Sequence, residues 1–148
     1  MHDTTWTNET WPIAAAMIPY PNTLPDGTSV QDQSVEGWAE TLSDVVHAGF
    51  TELDPTDCWL RVADLSPGRR KEFMQLVHSL GLTIPAISTS RRGIIDSVHG
   101  EDYLSYSHRL IDTAAEIGAG AVSFGLFGPL TAAQKQALWF WTVDGVRN

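Results

Sequence analysis

One pattern occurs four times along the chain: a short apolar segment rich in β-branched residues, then a polar loop, then a segment with apolar residues at helical spacing. The apolar segments begin near residues 13, 51, 84 and 121. Such alternation is typical of βα units, in which consecutive strands run parallel and helices cover the sheet. The 148 residues therefore predict an α/β fold built from about four βα units. A single domain over residues 13–148 suits this length.

Helix boundaries are marked by capping residues. Ser34 and Ser66 stand where N-caps are expected, and Pro67 occupies the first helical position of the second helix. The third helix is predicted over Tyr103 to Ile117, with Leu110 and Ile111 among the apolar residues of its covered face, and a capping box at residues 131–134 opens a fourth. The first three helices end at glycines suited to a left-handed C-terminal turn, namely Gly49, Gly81 and Gly118.

The predicted strands alternate between bulky and small side chains. They cover Ile13–Pro19, residues 50–54, residues 83–90 with the regular part after Pro85, and Ala121–Phe127. In the second strand Leu53 points away from Glu52 and Asp54, and in the fourth Val122 and Phe124 point away from Ser123. One face is thus apolar, as a helix-covered exterior requires, and the other is small or polar.

This alternation bears on the choice between two architectures. The spacing of the strands is close to the ~31 residues per unit of an eight-unit TIM barrel, of which four units are half. The alternative is a small doubly wound parallel sheet, which also alternates strands and helices. A doubly wound sheet has helices on both faces, so its central strands are expected to be apolar throughout. The one-sided pattern favours a partial (β/α)8 TIM barrel.

Composition restricts the function classes. With 18 acidic and 9 basic residues the net charge is −9, which disfavours nucleic-acid binding. A single cysteine, Cys58, excludes an internal disulfide and fits a cytoplasmic protein. Residues 1–12 form a polar tail without the features of a secretory signal, and no apolar run approaches the ~20 residues of a membrane span.

Several segments resemble the sugar phosphate isomerase/epimerase family of the xylose isomerase-like TIM-barrel superfamily. The resemblance covers about residues 13–145, in the order of that family's N-terminal half. Its segments are GFTELDPTDCWL, GLTIPAISTSRRGIID, YSHRLIDTAAEIGAGAVSFGL and LTAAQKQALWFWTVDG. The resemblance implies a metal-dependent aldose–ketose isomerase or epimerase that acts on a sugar or sugar phosphate.

The resemblance also implies a divalent metal, Mn²⁺ or Mg²⁺, held by Glu, Asp, His and Glu at the ends of later strands. We expect those strands to be missing from this chain, so that it is a truncated form that holds no metal and is inactive alone. One alternative is a non-catalytic binding module that closes the barrel by self-association as a homo-oligomer. The DNA-repair endonuclease branch of the superfamily is another, which the acidic charge disfavours.

Barrel chemistry lies at the C-terminal ends of the strands and in the loops that follow them. Glu52 and Asp54 are two residues apart in the second strand, so both carboxylates project into the predicted interior and are the candidate catalytic residues. Such a carboxylate orients a sugar hydroxyl or acts as an acid or base. The structural alternative is that Glu52 pairs with a base inside the barrel and that Asp54 starts the turn at Pro55.

Candidate substrate-binding residues follow the second, third and fourth strands. Trp59 is suited to stacking on a sugar ring or to plugging the core. The guanidinium groups of Arg91 and Arg92 match a phosphate, although solvated loop arginines are common. Small inward-facing hydroxyls suit either sugar recognition or the filling of a tapered barrel, and they belong to Ser88, Ser90 and Ser123. Of the five histidines only His99 falls in a loop on this face, and no metal-binding His spacing occurs.

Overall fold

The computed structural model describes residues 13–89, 93, 94 and 96–124. Four short strands alternate with three helices along this part of the chain. The strands are β1 (Ala14–Ala16), β2 (Glu52–Asp54), β3 (Ala86–Ser88) and β4 (Ala121–Ser123), and the helices are α1 (Val35–His47), α2 (Pro67–Ser79) and α3 (Gly100–Ile117). Two short 3-10 turns, Val30–Asp32 and Val62–Asp64, lie in the loops that follow β1 and β2.

The strands are parallel and lie side by side in sequence order. β1 pairs with β2, and β3 pairs with β4. A parallel bridge between Glu52 and Thr83 joins the two pairs, and the N–H of Leu53 donates to the carbonyl oxygen of Thr83 at 2.8 Å. Farther along, the N–H of Asp57 donates to the carbonyl oxygen of Ser88 at 3.2 Å. The order is therefore β1-β2-β3-β4.

This order distinguishes the two architectures that the sequence left open. In a flavodoxin-like sheet β1 lies between β2 and β3, and in a Rossmann sheet β1 separates β2 from β4. Here β2 contacts β3 directly and β3 pairs with β4. In a (β/α)8 barrel every strand lies beside the strand that follows it in the sequence, as it does here. The prediction of a partial TIM barrel is confirmed, and the doubly wound alternative is wrong.

One hydrophobic core lies between the strands and the helices. It joins the apolar face of the strands, Leu53 and Ile87, to side chains of all three helices. The fully buried rings of Trp38 on α1 and Phe73 on α2 meet edge to face, with centroids 5.5 Å apart. On β2 and β3 the residues on either side of Leu53 and Ile87 are only half-buried. The helices thus cover one face of the strands, as the alternation predicts.

The helix caps follow the sequence prediction. The hydroxyls of Ser34 and Ser66 accept hydrogen bonds from the N–H groups of Gly37 and Arg69 in the first turns of α1 and α2. At the end of α1, Gly49 has φ +88°, and the N–H of Phe50 donates to the carbonyl oxygen of Val45. This is a Schellman motif, which requires the left-handed conformation that glycine adopts without strain.

Helix α3 begins three residues earlier than predicted, at Gly100 instead of Tyr103. The reason lies in Asp96, whose Oδ1 accepts hydrogen bonds from the N–H groups of Val98 and His99 at 2.8 and 2.7 Å. The N–H of Gly100 then donates to the carbonyl oxygen of Asp96. An Asx turn of this kind offers the backbone a helix start that apolar periodicity does not reveal.

Three other predictions change in detail. β1 is shorter than Ile13–Pro19 because the chain turns after Met17, where the N–H of Tyr20 donates to the Met17 carbonyl oxygen. Phe124 and Ile111, which were expected on covered faces, are 41% and 50% exposed. The polar tail 1–12, the end of the fourth predicted strand and the fourth helix lie outside the described residues.

Candidate functional site

The inner face of the strands is polar near their C-terminal ends. Asp54 pairs in register with Ala16, and Ser88 pairs with Ser123. Glu52 precedes Asp54 by two residues and projects to the same side of β2. In a TIM barrel this end of the strands is the catalytic face. The structure therefore brings four of the predicted site residues to one surface: Glu52, Asp54, Ser88 and Ser123.

Asp54 and Ser88 form a hydrogen-bonded pair between β2 and β3. The amide N–H of Ser88 donates to Oδ1 of Asp54 at 2.9 Å, and the Ser88 hydroxyl lies 2.6 Å from Oδ2. Pro55 follows Asp54 and has no N–H, so the backbone ladder of β2 is interrupted there. The Asp54 side chain spans this interruption and ties the ends of the two strands together.

Glu52 differs from Asp54 in its surroundings. Both side chains are half-buried, but no described residue forms an ion pair or side-chain hydrogen bond with the Glu52 carboxylate. The predicted alternative of a base that pairs with Glu52 thus has no support among the described residues. Within this part of the chain, Glu52 is the inner-face carboxylate that is open to a ligand.

The loop after β2 contributes buried groups that the sequence analysis did not assign. The hydroxyl of Thr56 lies 2.7 Å from the sulfur of Cys58, which in turn lies 3.8 Å from the carbonyl oxygen of Met17. Asp57 is 5% exposed. These contacts join the β2 loop to the end of β1. The only sequence signal for them is the run of short polar residues directly after Pro55.

Trp59 lies in the core. Its side chain is 2% exposed and packs against Phe73, with ring centroids 6.2 Å apart. A ring buried in this way offers no open face to a sugar. Of the two roles that the sequence left open for Trp59, the position favours the core plug over the stacking surface.

The remaining predicted residues follow β3. Ser90, Arg91 and Arg92 lie outside the described residues. His99 is exposed immediately before α3, with its ring centroid 5.8 Å from that of Tyr103. Hydrogen bonds from the N–H groups of His99 and Val98, together with the charge of His99, lower the pKa of Asp96 below its ordinary value of 3.8. The carboxylate of Asp96 thus stabilises the turn that begins α3.

Basic side chains of the described helices and loops are largely neutralised. Arg70 on α2 contacts Glu116 on α3 at 3.1 Å, and Arg69 contacts Glu72 at 2.7 Å. Asp64 accepts hydrogen bonds from both Arg61 and Arg109, the latter at 3.0 Å. On a chain of net charge −9, arginines paired in this way do not form the basic stripe that binds a nucleic-acid backbone.

The described part of the chain does not fit a divalent metal. It contains no group of three or more His, Cys, Asp or Glu side chains placed to share an ion. Mg²⁺ prefers several oxygen ligands in octahedral geometry, and here both oxygens of Asp54 are engaged by Ser88. No described helix is long and apolar enough to cross a membrane.

Comparison with known proteins identifies a similar solved structure. It is a xylose isomerase-like TIM-barrel protein from Mycobacterium smegmatis, solved in complex with magnesium, which is 41% identical in sequence with a TM-score of 0.77. The match covers 93% of this chain and 45% of that protein, so the chain spans less than half the length of its relative. No protein-family model matches the chain. No curated protein matches it either.

Proposed function

The chain belongs to the xylose isomerase-like TIM-barrel superfamily, and we propose that its four βα units form part of a barrel that isomerises or epimerises a sugar or sugar phosphate. The observation that carries this proposal is the hydrogen-bonded pair of Asp54 and Ser88 at the C-terminal ends of β2 and β3, with Glu52 two residues earlier on the same face of β2. Carboxylates and hydroxyls held in this way suit a polyhydroxylated substrate.

Glu52 and Asp54 have different proposed roles in this reaction. When isomerisation or epimerisation proceeds through an enediol, a proton is removed from a carbon next to a carbonyl group and a proton is then returned to carbon, which requires an acid or base within hydrogen-bond reach. Glu52 is half-buried and has no described partner, so we assign it the proton transfer. Asp54 acts through Ser88, which it holds in place.

In this proposal the substrate is held by residues of β3 and β4 and of the loop after β3. Ser88 and Ser123 are neighbours on the inner face of β3 and β4 and suit sugar hydroxyls. Ser90, Arg91 and Arg92 follow Thr89 in the sequence after β3, and two guanidinium groups suit a phosphate. We propose that they bind the phosphate of a sugar phosphate.

A divalent ion belongs to the proposal for the complete barrel only. The relative from Mycobacterium smegmatis was solved with magnesium, whereas the described residues of this chain offer no cluster of ligands. We therefore place the ion's ligands in later strands of the barrel, as the resemblance implies. When bound there, the ion polarises the oxygens of the substrate.

The test is a chimera in which this chain replaces the segment of the Mycobacterium smegmatis protein that it matches. With Mg²⁺ and a panel of pentose and hexose phosphates in D₂O, we expect product formation and uptake of deuterium at the substrate carbon. Glu52→Gln should lower the rate by ~10²–10⁴-fold, the usual contribution of a general acid or base. Glu40→Gln on the exposed side of α1 is the matched control and should retain the rate. A folded, magnesium-loaded chimera that converts no sugar of the panel would contradict the proposed function.

A second candidate, self-association of the 148-residue polypeptide, rests on exposed residues beside β1 and β4. Ile13 and Ile18 are 63% and 64% exposed, and Ala121 and Ser123 on β4 are exposed as well. We propose that a second copy covers these residues. Sedimentation should show a dimer or larger species that Ser123→Lys dissociates, whereas a compact wild-type monomer would contradict this candidate.

A further inference from the structure

A serine hydroxyl has one proton and two lone pairs, so it can either donate or accept a hydrogen bond. If the hydroxyl proton is already engaged in a hydrogen bond within the protein, the serine oxygen can only accept a hydrogen bond from a ligand. The hydroxyl of Ser88 lies 2.6 Å from Oδ2 of Asp54, which is within the range of O–H···O⁻ bonds to a carboxylate, about 2.5–2.7 Å. Because a carboxylate only accepts, the proton in this bond is that of Ser88.

A second hydrogen bond prevents the carboxylate from turning away. The amide N–H of Ser88 donates to Oδ1 of Asp54 at 2.9 Å, so one residue engages both oxygens. Rotation of the Asp54 side chain would break both bonds at once. The backbone of Ser88 is in turn fixed by its pairing with Ser123 on β4. The direction of the Ser88 hydroxyl is therefore set by the fold.

We infer that Asp54 is a positioning residue that makes Ser88 Oγ an obligate hydrogen-bond acceptor, so that the site selects a ligand hydroxyl that donates to it. This inference rests on the proposed function, since it concerns the same sugar site. A ligand that offers an ether or carbonyl oxygen at this position meets the lone pairs of Ser88 and is rejected. The cost arises because the ligand oxygen and the half-buried Ser88 hydroxyl both lose water and then face each other without a proton between them.

The neighbouring serine extends this selection to two hydroxyls. Ser123 lies beside Ser88 on the adjacent strand, about 4.8 Å away as strands in a sheet are spaced. No described side chain fixes the direction of the Ser123 hydroxyl, so it can donate or accept. Together the two serines suit a ligand with two hydroxyl groups on adjacent carbons. The ligand hydroxyl at Ser88 must donate its proton, whereas the ligand oxygen at Ser123 can either donate or accept.

The first test compares two probes that have the same carbon chain and the same oxygens, of which only one has hydrogen-bond donors; the methyl groups of the other are the same for the wild type and for the variant used in the second step. Erythritol carries vicinal hydroxyls, and its per-O-methyl ether keeps the oxygens without their protons. In ¹H–¹⁵N spectra of the full chain, we expect a saturable shift of the Ser88 amide with erythritol and at least about tenfold weaker binding of the ether, the size of one lost hydrogen bond. Absence of a saturable shift with erythritol would overturn the inference.

The second step uses Asp54→Asn, which keeps the shape of the side chain but reverses one bond. The amide oxygen still accepts the Ser88 N–H, whereas the amide NH₂ donates to Ser88 Oγ and frees the hydroxyl proton for the ligand. The preference for erythritol over the ether should then fall to within about threefold, by loss of that bond. Ser43→Ala is the matched control, because the Ser43 hydroxyl bonds the Ala39 carbonyl oxygen on α1, away from the site. An unchanged preference in folded Asp54→Asn would overturn the inference.

A neutron structure of the wild-type chain decides the same point even if Asp54→Asn does not fold. The deuteron of the Ser88 hydroxyl should lie between Oγ and Oδ2 of Asp54, and any other position would overturn the inference. These readouts are independent of turnover. A chimera that converts no sugar while the probe preference is observed would contradict the proposed function alone, and an active chimera without the preference would contradict the inference alone.

Discussion

The backbone N–H of Leu53 donates a hydrogen bond to the carbonyl oxygen of Thr83 at 2.8 Å. This bond places β2 directly beside β3, with β1 on the other side of β2 and β4 beyond β3. The order β1-β2-β3-β4 follows from it, and because the strands are parallel, their C-terminal ends lie at one end of the sheet. The side chains of Asp54 and Ser88 meet at that end because their strands are neighbours.

The first prediction concerns the buried ring of Trp59. Trp59→Ala should lower the free energy of unfolding by about 3–5 kcal/mol, because it leaves a cavity against Phe73. Urea unfolding followed by circular dichroism measures this change. Trp59→Phe is the control and should lose less stability and bind sugar as the wild type does. Unchanged stability of Trp59→Ala with lost sugar binding would instead support a stacking role.

The second prediction concerns acid stability at the start of α3. Because the pKa of Asp96 is lowered by the N–H groups of His99 and Val98, its cap contributes stability above the ordinary value of 3.8. That contribution should be lost as the pH falls below 3.8 through the pKa of the folded state. A pH titration of the Val98 and His99 amides by NMR should show the loss in the wild type.

A control for this titration is available in the chain itself. Asp96→Asn keeps an acceptor oxygen but cannot titrate, so the acid transition of these two amides should disappear. The pKa of Asp26 is also lowered, by hydrogen bonds from Thr28, yet it lies in the loop after β1. Asp26→Asn should therefore leave the transition at α3 in place. Persistence of the transition in Asp96→Asn would show that another group caps α3.

The third prediction concerns phosphate recognition after β3. In the chimeric barrel, Arg91→Ala combined with Arg92→Ala should weaken binding of a sugar phosphate by about 1–3 kcal/mol, the size of charge-assisted hydrogen bonds. Binding of the corresponding neutral sugar should hardly change. Calorimetry with both ligands measures the difference. Equal losses for the two ligands would mean that the substitutions disturb the loop rather than a phosphate site.

The fourth prediction concerns metal binding by the chain alone. Its described residues hold no cluster of ligands, and Asp54 is engaged by Ser88. The purified 148-residue chain should bind Mn²⁺ or Mg²⁺ only weakly and show negligible epimerase turnover. Isothermal titration calorimetry with Mn²⁺ checks this expectation. A stoichiometric micromolar site would place metal ligands within this chain and contradict the account.

Local features of the fold could be predicted from the sequence because they depend on adjacent residues. The N-caps Ser34 and Ser66 and the glycine after α1 act within one helical turn, and all lie where their patterns indicate. The start of α3 was missed because Asp96 lies four residues before the helix, in a segment without apolar periodicity. Exposure of Ile111 was missed because helical periodicity alone does not define how wide the covered face is.

The site could be predicted only in part. Alternation along β2 and β3 placed Asp54 and Ser88 on one face, since side chains point to opposite sides in turn. Their hydrogen bonds join residues 34 positions apart and depend on strand order, which the repeated βα pattern does not determine. Trp59 illustrates the same limit, because core and ligand-facing aromatic residues have the same sequence signal.

The central claim is that the polar ends of β2, β3 and β4 form the sugar site, and mapping a bound ligand tests it most directly. A pentose phosphate titrated into the ¹⁵N-labelled chain should shift the amides of Asp54, Ser88 and Ser123 in a saturable manner and leave the outer helices unchanged. The contradicting result is a saturable response confined to the groove between α2 and α3, which is lined by Lys71, His78 and Glu116.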